Sequence, residues 1–171
     1  MIDLRSFIRD VPDFPKPGIL FRDVTPLLQD ATALRAAVDA LAEPFRDDRI
    51  DFVVGIDARG FVMGAPVALA LGVGFVMVRK QGKLPGETLK ASYDLEYGAD
   101  QMEMHADALG PGMRVLIVDD LIATGGTAAA SVALVREAGA EVIGCSFLIE
   151  LAALHGRKAL DVDRVHSVLE F

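Results

Sequence analysis

The chain has 171 residues, 17 Lys and Arg against 25 Asp and Glu, a formal charge of −8 and a single cysteine. That length suits one domain, residues 1–171, with a sizeable buried core. The acidic balance excludes a general nucleic-acid or acidic-membrane binder, which depends on a broad basic face, so any anionic ligand must meet local positive charge. Cys145 alone excludes an intrachain disulfide, and its apolar setting reads as core packing in a reducing compartment. Asp3, Arg5, Arg9 and Asp10 exclude the apolar core of a secretory signal, and a cytoplasmic protein is expected.

The Pro-rich start, VPDFPKPG, is too short for a module of its own and reads as an ordered arm. Leu34, Val38, Leu41 and Phe45 then follow a helical spacing that Pro44 shortens or kinks. Phe52 to Ile56 is a strand, followed by the loop DARG and a second helix. Residues 61–78 carry no charge, long enough at the lower limit for a membrane span. Pro66 and Gly72-Val73-Gly74 instead divide them into a buried helix and a strand, Phe75 to Val78.

After Arg79 the rhythm stops. RKQGKLPGETLK has neither period and reads as a mobile basic loop. ASYDLEYGADQMEMH alternates, with Ala91, Tyr93, Leu95 and Tyr97 on one face, and reads as an antiparallel hairpin rising from the sheet edge; the two tyrosines read as packing aromatics. Val115 to Val118 is a four-residue apolar strand, and Asp119 and Asp120 are expected where it leaves the sheet. A helix carrying Ala128, Val132 and Val135 comes next. Two further strands, Glu141 to Glu150 and Arg164 to Leu169, flank a short helix near Ala152 to Lys158. Strands alternating with helices through short connections predict an α/β fold of three layers: a mostly parallel sheet of about five strands, helices on both faces, and an antiparallel hairpin flap.

In such a sheet, ligands collect beyond the carboxyl ends of the strands, where DARG, RKQGKLPGE and DDLIATGGT are expected to converge. Ala123, Thr124, Gly125, Gly126 and Thr127 offer backbone N–H groups and two hydroxyls at a helix N-terminus, a cradle for a terminal phosphate. They lack the Gly-Lys-Ser/Thr of a nucleotide-triphosphate P-loop, which argues against a kinase or ATPase. An adjacent pair of aspartates is costly unless hydroxyls or cations await it. Asp119 and Asp120 fall where the 2′ and 3′ hydroxyls of a phosphorylated ribose lie, and their charge opposes positive charge developing on an anomeric carbon. Arg59, Arg79, Lys80 and Lys83 supply cations suited to a diphosphate, and Mg²⁺ is expected to bridge substrate oxygens while keeping waters. His105, His155 and His166 have no metal spacing.

VLIVDDLIATGGT resembles the phosphoribosyl-diphosphate signature of the type I phosphoribosyltransferases. PDFPKPGILFRDVTPLL, GIDARGFVMGAPVALALG and RKQGKLPGETLKASYDLEYG extend the resemblance to members of that family that act on adenine. The resemblance implies transfer of the phosphoribosyl group from 5-phosphoribosyl 1-diphosphate to adenine, giving AMP and diphosphate, with Mg²⁺, in a homodimeric purine-salvage enzyme. It also implies that the arm binds the base through Leu20, Phe21 and Arg22, with Phe21 stacking on the purine and Leu121 covering its other face. Asp57, Ala58 and Arg59 match the diphosphate loop, with a cis Asp57–Ala58 peptide, and Asp57 stands where many bacterial relatives carry Glu. Residues 80–90 match the flexible lid. Glu96 and Tyr97 match the pair after it, with Glu96 exchanging a proton at the base ring and Tyr97 reaching a phosphate. The tail after about residue 151 matches no signature. From the residues themselves, base choice stays open between adenine, xanthine, hypoxanthine and a pyrimidine. A non-catalytic sensor of phosphoribosyl diphosphate would need a DNA-binding segment and a basic surface, which the sequence lacks.

Overall fold

The computed structural model describes residues 2–95 and 98–171. Its elements in chain order are β1 (Arg9–Pro12), β2 (Leu20–Asp23), α1 (Thr25–Gln29), α2 (Ala31–Ala42), β3 (Phe52–Ile56), α3 (Arg59–Leu71) and β4 (Gly74–Lys80). They continue with β5 (Thr88–Leu95), β6 (Gly98–His105), β7 (Arg114–Ile122), α4 (Gly126–Glu137), β8 (Glu141–Glu150) and β9 (Val165–Glu170). The main sheet runs β5-β6-β4-β3-β7-β8-β9, and β1 and β2 form a separate two-stranded sheet. The five strands from β4 to β9 are parallel, while β5 and β6 join antiparallel through the pairs Arg79↔Glu103 and Lys80↔Met102.

Side chains alternate across the two faces of this sheet, as its period of two requires. Val54, Ile56, Val115 and Ile117 pack with Val132, Val135 and the flap residues Met102 and Met104. Val53, Leu116 and Val118 pack with Leu27, Val38, Leu41, Met63 and Val67 of α1, α2 and α3. These are the three expected layers. α2 begins at Asp30, whose carboxylate accepts from the N–H groups of Thr32 at 2.9 Å and Ala33 at 2.8 Å, and it ends before Pro44. α3 ends at Gly72, whose φ of 71° is the left-handed turn that an L side chain resists. Among the described residues, no helix is long and apolar enough to cross a membrane.

Three expected boundaries differ. β4 keeps Lys80 and β5 starts at Thr88, so the connection with neither period shrinks to residues 81–87. β7 does not end at Val118; it runs to Ile122 because β8 is long enough to pair with Asp119, Leu121 and Ile122. The short helix after Leu151 is two 3₁₀ turns, Ala152–Leu154 and Gly156–Ala159, separated by His155 at a left-handed φ of 53°.

Candidate functional site

From β3 the chain crosses to β4 on one side, and from β7 to β8 on the other, so connections diverge between β3 and β7 and leave a crevice beyond their carboxyl ends. The last β3–β7 pair is Gly55↔Val118. Beyond it, β7 holds only to β8, and the side facing β3 is filled by the start of α3. That approach requires Gly60: a Cβ there would stand 2.8 Å from Asp119 Oδ1 and 3.1 Å from the Val118 carbonyl oxygen. Gly55 and Gly64 make room in the same way for the Phe75 ring, which would lie 2.5 Å and 2.8 Å from their added Cβ atoms. These contacts bring the positive end of a helix next to an acidic pair.

Asp119 accepts the Asp120 backbone N–H at 2.8 Å. Burial, and then the neighbouring Asp120 carboxylate, hold the Asp119 carboxyl well above its ordinary value of 3.8; the Asp120 N–H and Arg59 act the other way. Asp120 is buried, and its Oδ2 has no hydrogen-bond partner among the described residues, although Arg59 Nε lies 2.7 Å away as an ion pair. Geometry rather than distance denies it the bond. A buried carboxylate oxygen in that state has acceptor capacity left for a hydroxyl.

The expected phosphate loop follows. Gly125 stands at the head of α4 with a φ of 86°, and the first helical bond there runs from Ala129 N–H to the Gly125 carbonyl at 2.8 Å, so the N–H groups of residues 126–128 face outward from the helix start. A cavity of about 200 Å³ opens on it, lined by Asp119, Leu121, Ile122, Ala123, Thr124, Gly125, Gly126, Thr127 and Ala128. The loop is backed by the tail. A Cβ on Gly125 would lie 2.3 Å from the Gly156 carbonyl oxygen, and one on Gly156 would lie 2.3 Å from the Ala123 carbonyl oxygen.

On the diphosphate side the Asp57–Ala58 peptide is cis, as the resemblance implied. Arg79 Nε donates to Asp57 Oδ2 at 3.1 Å and joins the ends of β4 and β3. Lys80 Nζ lies 3.4 Å from Asp100 Oδ2. Lys83 is exposed, and its carbonyl accepts from Arg79 at 3.3 Å. Arg59, Arg79 and Lys80 are each held by a carboxylate: Asp120, Asp57 and Asp100. Glu96 and Tyr97 lie outside the described residues. Among the described residues, no group of three or more His, Cys, Asp or Glu side chains converges to hold a metal ion.

On the base side, Phe21 meets Phe14 edge-to-face at 5.1 Å between centroids, and the Arg59 guanidinium lies 5.3 Å from the Phe21 ring centre. A second cavity of about 510 Å³ is lined by Val11, Phe14, Phe21, Val24, Thr25, Leu28 and Arg59, with Asp23 at its edge. Leu20 is exposed. Leu121 lines the phosphate-loop cavity rather than this one. Arg22 is ion-paired with Asp10 and sits 4.3 Å from the centre of the Phe171 ring, which Arg5 also covers at 4.2 Å. The sequence reading missed Phe171 and Gly156, because nothing in the tail advertises a partner so far back in the chain. It also took Tyr93 for packing alone, although the inward face of the hairpin was the available signal.

The profile of the phosphoribosyl transferase domain matches residues 26–169, and the chain belongs to that family. Relatives within the family include adenine phosphoribosyltransferases. The one from Methylococcus capsulatus is 59% identical over 171 residues and covers 100% of both chains. The one from a Synechococcus species is 62% identical over 160 residues, 93% of this chain and 91% of its own. The crystal structure of the Rhodothermus marinus adenine phosphoribosyltransferase superposes with a TM-score of 0.94 at 58% identity, covering 98% of this chain and 96% of that one. The Saccharomyces cerevisiae enzyme, complexed with D-2,5-dideoxy-2,5-imino-altritol 1,6-bisphosphate and adenine, superposes with a TM-score of 0.92 at 44% identity over 96% of each chain.

Proposed function

We propose that this protein transfers the 5-phosphoribosyl group from 5-phosphoribosyl 1-diphosphate to adenine, releasing AMP and diphosphate. The observation that carries the reading is the buried Asp120 carboxylate, ion-paired with Arg59 at 2.7 Å through an Oδ2 that accepts no hydrogen bond among the described residues, close to a cavity at the head of α4. The full-length likeness to adenine phosphoribosyltransferases supports the choice of base.

In this reading Ala123, Thr124, Gly125, Gly126 and Thr127 hold the 5′-phosphate through N–H groups and hydroxyls. Asp119 and Asp120 accept the ribose hydroxyls, and their negative charge opposes the charge that builds on the anomeric carbon. Arg59, Arg79, Lys80, Lys83 and Tyr97 bind the diphosphate with Asp57 and Ala58, Arg59 and Arg79 turning from their carboxylates toward the leaving group. Phe21 stacks on adenine, Leu121 covers its other face, and backbone groups of Leu20 and Arg22 read its edge. The bond from the anomeric carbon to the diphosphate oxygen breaks with its electron pair leaving on the diphosphate. The ring nitrogen of adenine forms the new bond and gives up its proton, for which Glu96 is the acceptor. The 81–87 connection shields the cationic centre from water.

The donors fit a hydrated Mg²⁺: Asp119 and Asp120 offer hard carboxylate oxygens, with no dedicated cage among the described residues, so substrate and water would supply most of its ligands. When bound, held mainly by substrate and water, the ion neutralises charge on the leaving diphosphate. We place the protein in the cytoplasm as a homodimer. The exposed Val62 and Leu69, seven residues apart on one face of α3, are side chains available to such a contact.

A spectrophotometric assay with 5-phosphoribosyl 1-diphosphate, Mg²⁺ and each base in turn tests the proposal. AMP formation from adenine is the expected result. No nucleotide from any base overturns the enzyme reading, and turnover of xanthine or hypoxanthine without adenine moves the base.

A further inference from the structure

Tyr93 of the flap touches the phosphate loop. Tyr93, on β5, faces Asp100, its direct cross-strand partner on β6, and donates its phenolic O–H to Asp100 Oδ2 at 3.1 Å. The same oxygen lies 3.4 Å from Lys80 Nζ at the end of β4. The Tyr93 ring rests on the first turn of α4, where a Cβ on Gly126 would stand 3.1 Å from Tyr93 Cδ2. Burial raises the phenol above its ordinary value of 10.0, and the Thr127 hydroxyl beside it acts the other way. At pH 7 the phenol is neutral, a hydrogen-bond donor to the carboxylate. The Gln101 N–H, then the phenol and the ammonium, hold the Asp100 carboxyl below its ordinary value, so it is charged.

A pair that served only to join two strands of a hairpin would not need an ammonium from β4, nor a glycine beneath its ring. The four groups instead make a continuous path from Lys80, assigned above to the diphosphate, to Thr127, assigned above to the 5′-phosphate. Those are the two ends of one substrate, and their separation is set by its ribose.

We propose that Tyr93 and Asp100 form a brace fixing the distance between the Lys80 ammonium and the phosphate loop, so that the flap strand belongs to the phosphoribosyl-diphosphate site. Both are positioning residues. The inference rests on the phosphoribosyl reading and deepens it. Its physical content is specific: a brace that sets a spacing matters for a ligand that spans both ends, and hardly at all for one that occupies either end alone.

The test is titration calorimetry with three ligands, 5-phosphoribosyl 1-diphosphate, ribose 5-phosphate and diphosphate, against the full chain and Tyr93→Phe, which keeps the ring on Gly126 and removes only the hydroxyl. The expected result is affinity for the spanning ligand lower by about tenfold, the loss typical of a hydrogen bond to a charged group, with the two half-ligands changed by less than about twofold. Asp100→Asn is expected to weaken the spanning ligand similarly, and the double variant to be no worse than the worse single one, as for two members of one path. Equal weakening of all three ligands, unchanged affinity for the spanning ligand, or additive losses in the double variant each overturn the brace. A wild-type chain that takes up none of the three overturns the phosphoribosyl reading itself, and the brace with it.

Discussion

The ends of the crevice proposed for the phosphate and for the base are built on different principles. The phosphate end comes from one unbroken stretch of chain: Asp119 and Asp120 lie in the last residues of a central strand that ends at Ile122, and the loop and the head of α4 follow within a few residues. The end proposed for the base is assembled from Phe14, Phe21 and Leu28 near the start of the chain and Arg59 from α3, and Arg22, next to Phe21, rests on the Phe171 ring. A contiguous site inherits its geometry from local backbone. An assembled one depends on every contact that holds its parts in place, and so its failures are expected to be smaller, graded and spread over distant residues.

The largest effect is expected at the contiguous end. Replacing Asp119→Asn together with Asp120→Asn is expected to lower turnover by on the order of 10²-fold or more while the chain stays folded, if their role is to stabilise charge. Steady-state rates alongside thermal unfolding check this, and unchanged turnover would remove the pair from the chemistry. Because burial already costs the Asp119 carboxylate, Asp119→Asn alone is expected to raise the melting temperature near neutral pH even as activity falls, a trade often met at active sites.

Next in size is a change that blurs the distinction. Gly156 lies in the tail, yet an added methyl group would press within 2.3 Å of the Ala123 carbonyl oxygen, a backbone atom of the phosphate loop with little freedom to retreat. Gly156→Ala is expected to raise KM for 5-phosphoribosyl 1-diphosphate by roughly tenfold, a loss in the range expected of overpacking at a buried contact, and KM for adenine far less. If both KM values rise together, the tail supports the whole fold rather than this loop.

How much of this was legible follows from the same contrast. The run Val115 to Val118, the acidic pair and TGGT declare themselves because each depends on its neighbours in sequence. The continuation of β7 to Ile122 does not, because it depends on the length of β8 and the pairs Leu121↔Ile149 and Ile122↔Glu150. The five parallel strands could be read from apolar runs, and their order could not. The resemblance assigned Leu20, Phe21 and Arg22 to the base. Nothing in the order of residues told that Arg22 would rest on Phe171, a contact across almost the whole chain. Leu121, expected over the base, lines the cavity beside Asp119.

A smaller effect is expected at the base end. Phe171→Ala removes the surface on which Arg5 and Arg22 rest, at about 0.5–1 kcal/mol for each cation–π contact of this exposed kind. KM for adenine is expected to rise by a few-fold, KM for 5-phosphoribosyl 1-diphosphate to stay put, and Phe171→Tyr to restore the native value. A larger rise in the second KM than in the first would mean that Phe171 supports the phosphate end, contrary to its position.

The smallest effect separates the two ends by sign. Asp23, beside the arm, accepts the Thr25 N–H at 2.9 Å; the Thr25 hydroxyl, that N–H and Arg9 hold its carboxyl down at about 2, against an ordinary 3.8. Its folded pKa is depressed, so the stability it contributes is present above 3.8 and is lost as pH falls toward 2. Asp119 runs the other way. Its folded pKa is raised, so below 3.8 both states are protonated and it costs nothing; as pH climbs above 3.8 the unfolded chain ionises first and stability declines. Urea unfolding followed between about pH 2.5 and 6 is therefore expected to change slope in opposite directions in two single variants. Asp23→Asn flattens the acid limb, and Asp119→Asn flattens the decline above it. If both variants shift the curve in the same direction, the two carboxylates occupy similar environments, and the division of the crevice into an acid-strained phosphate end and an acid-supported arm fails.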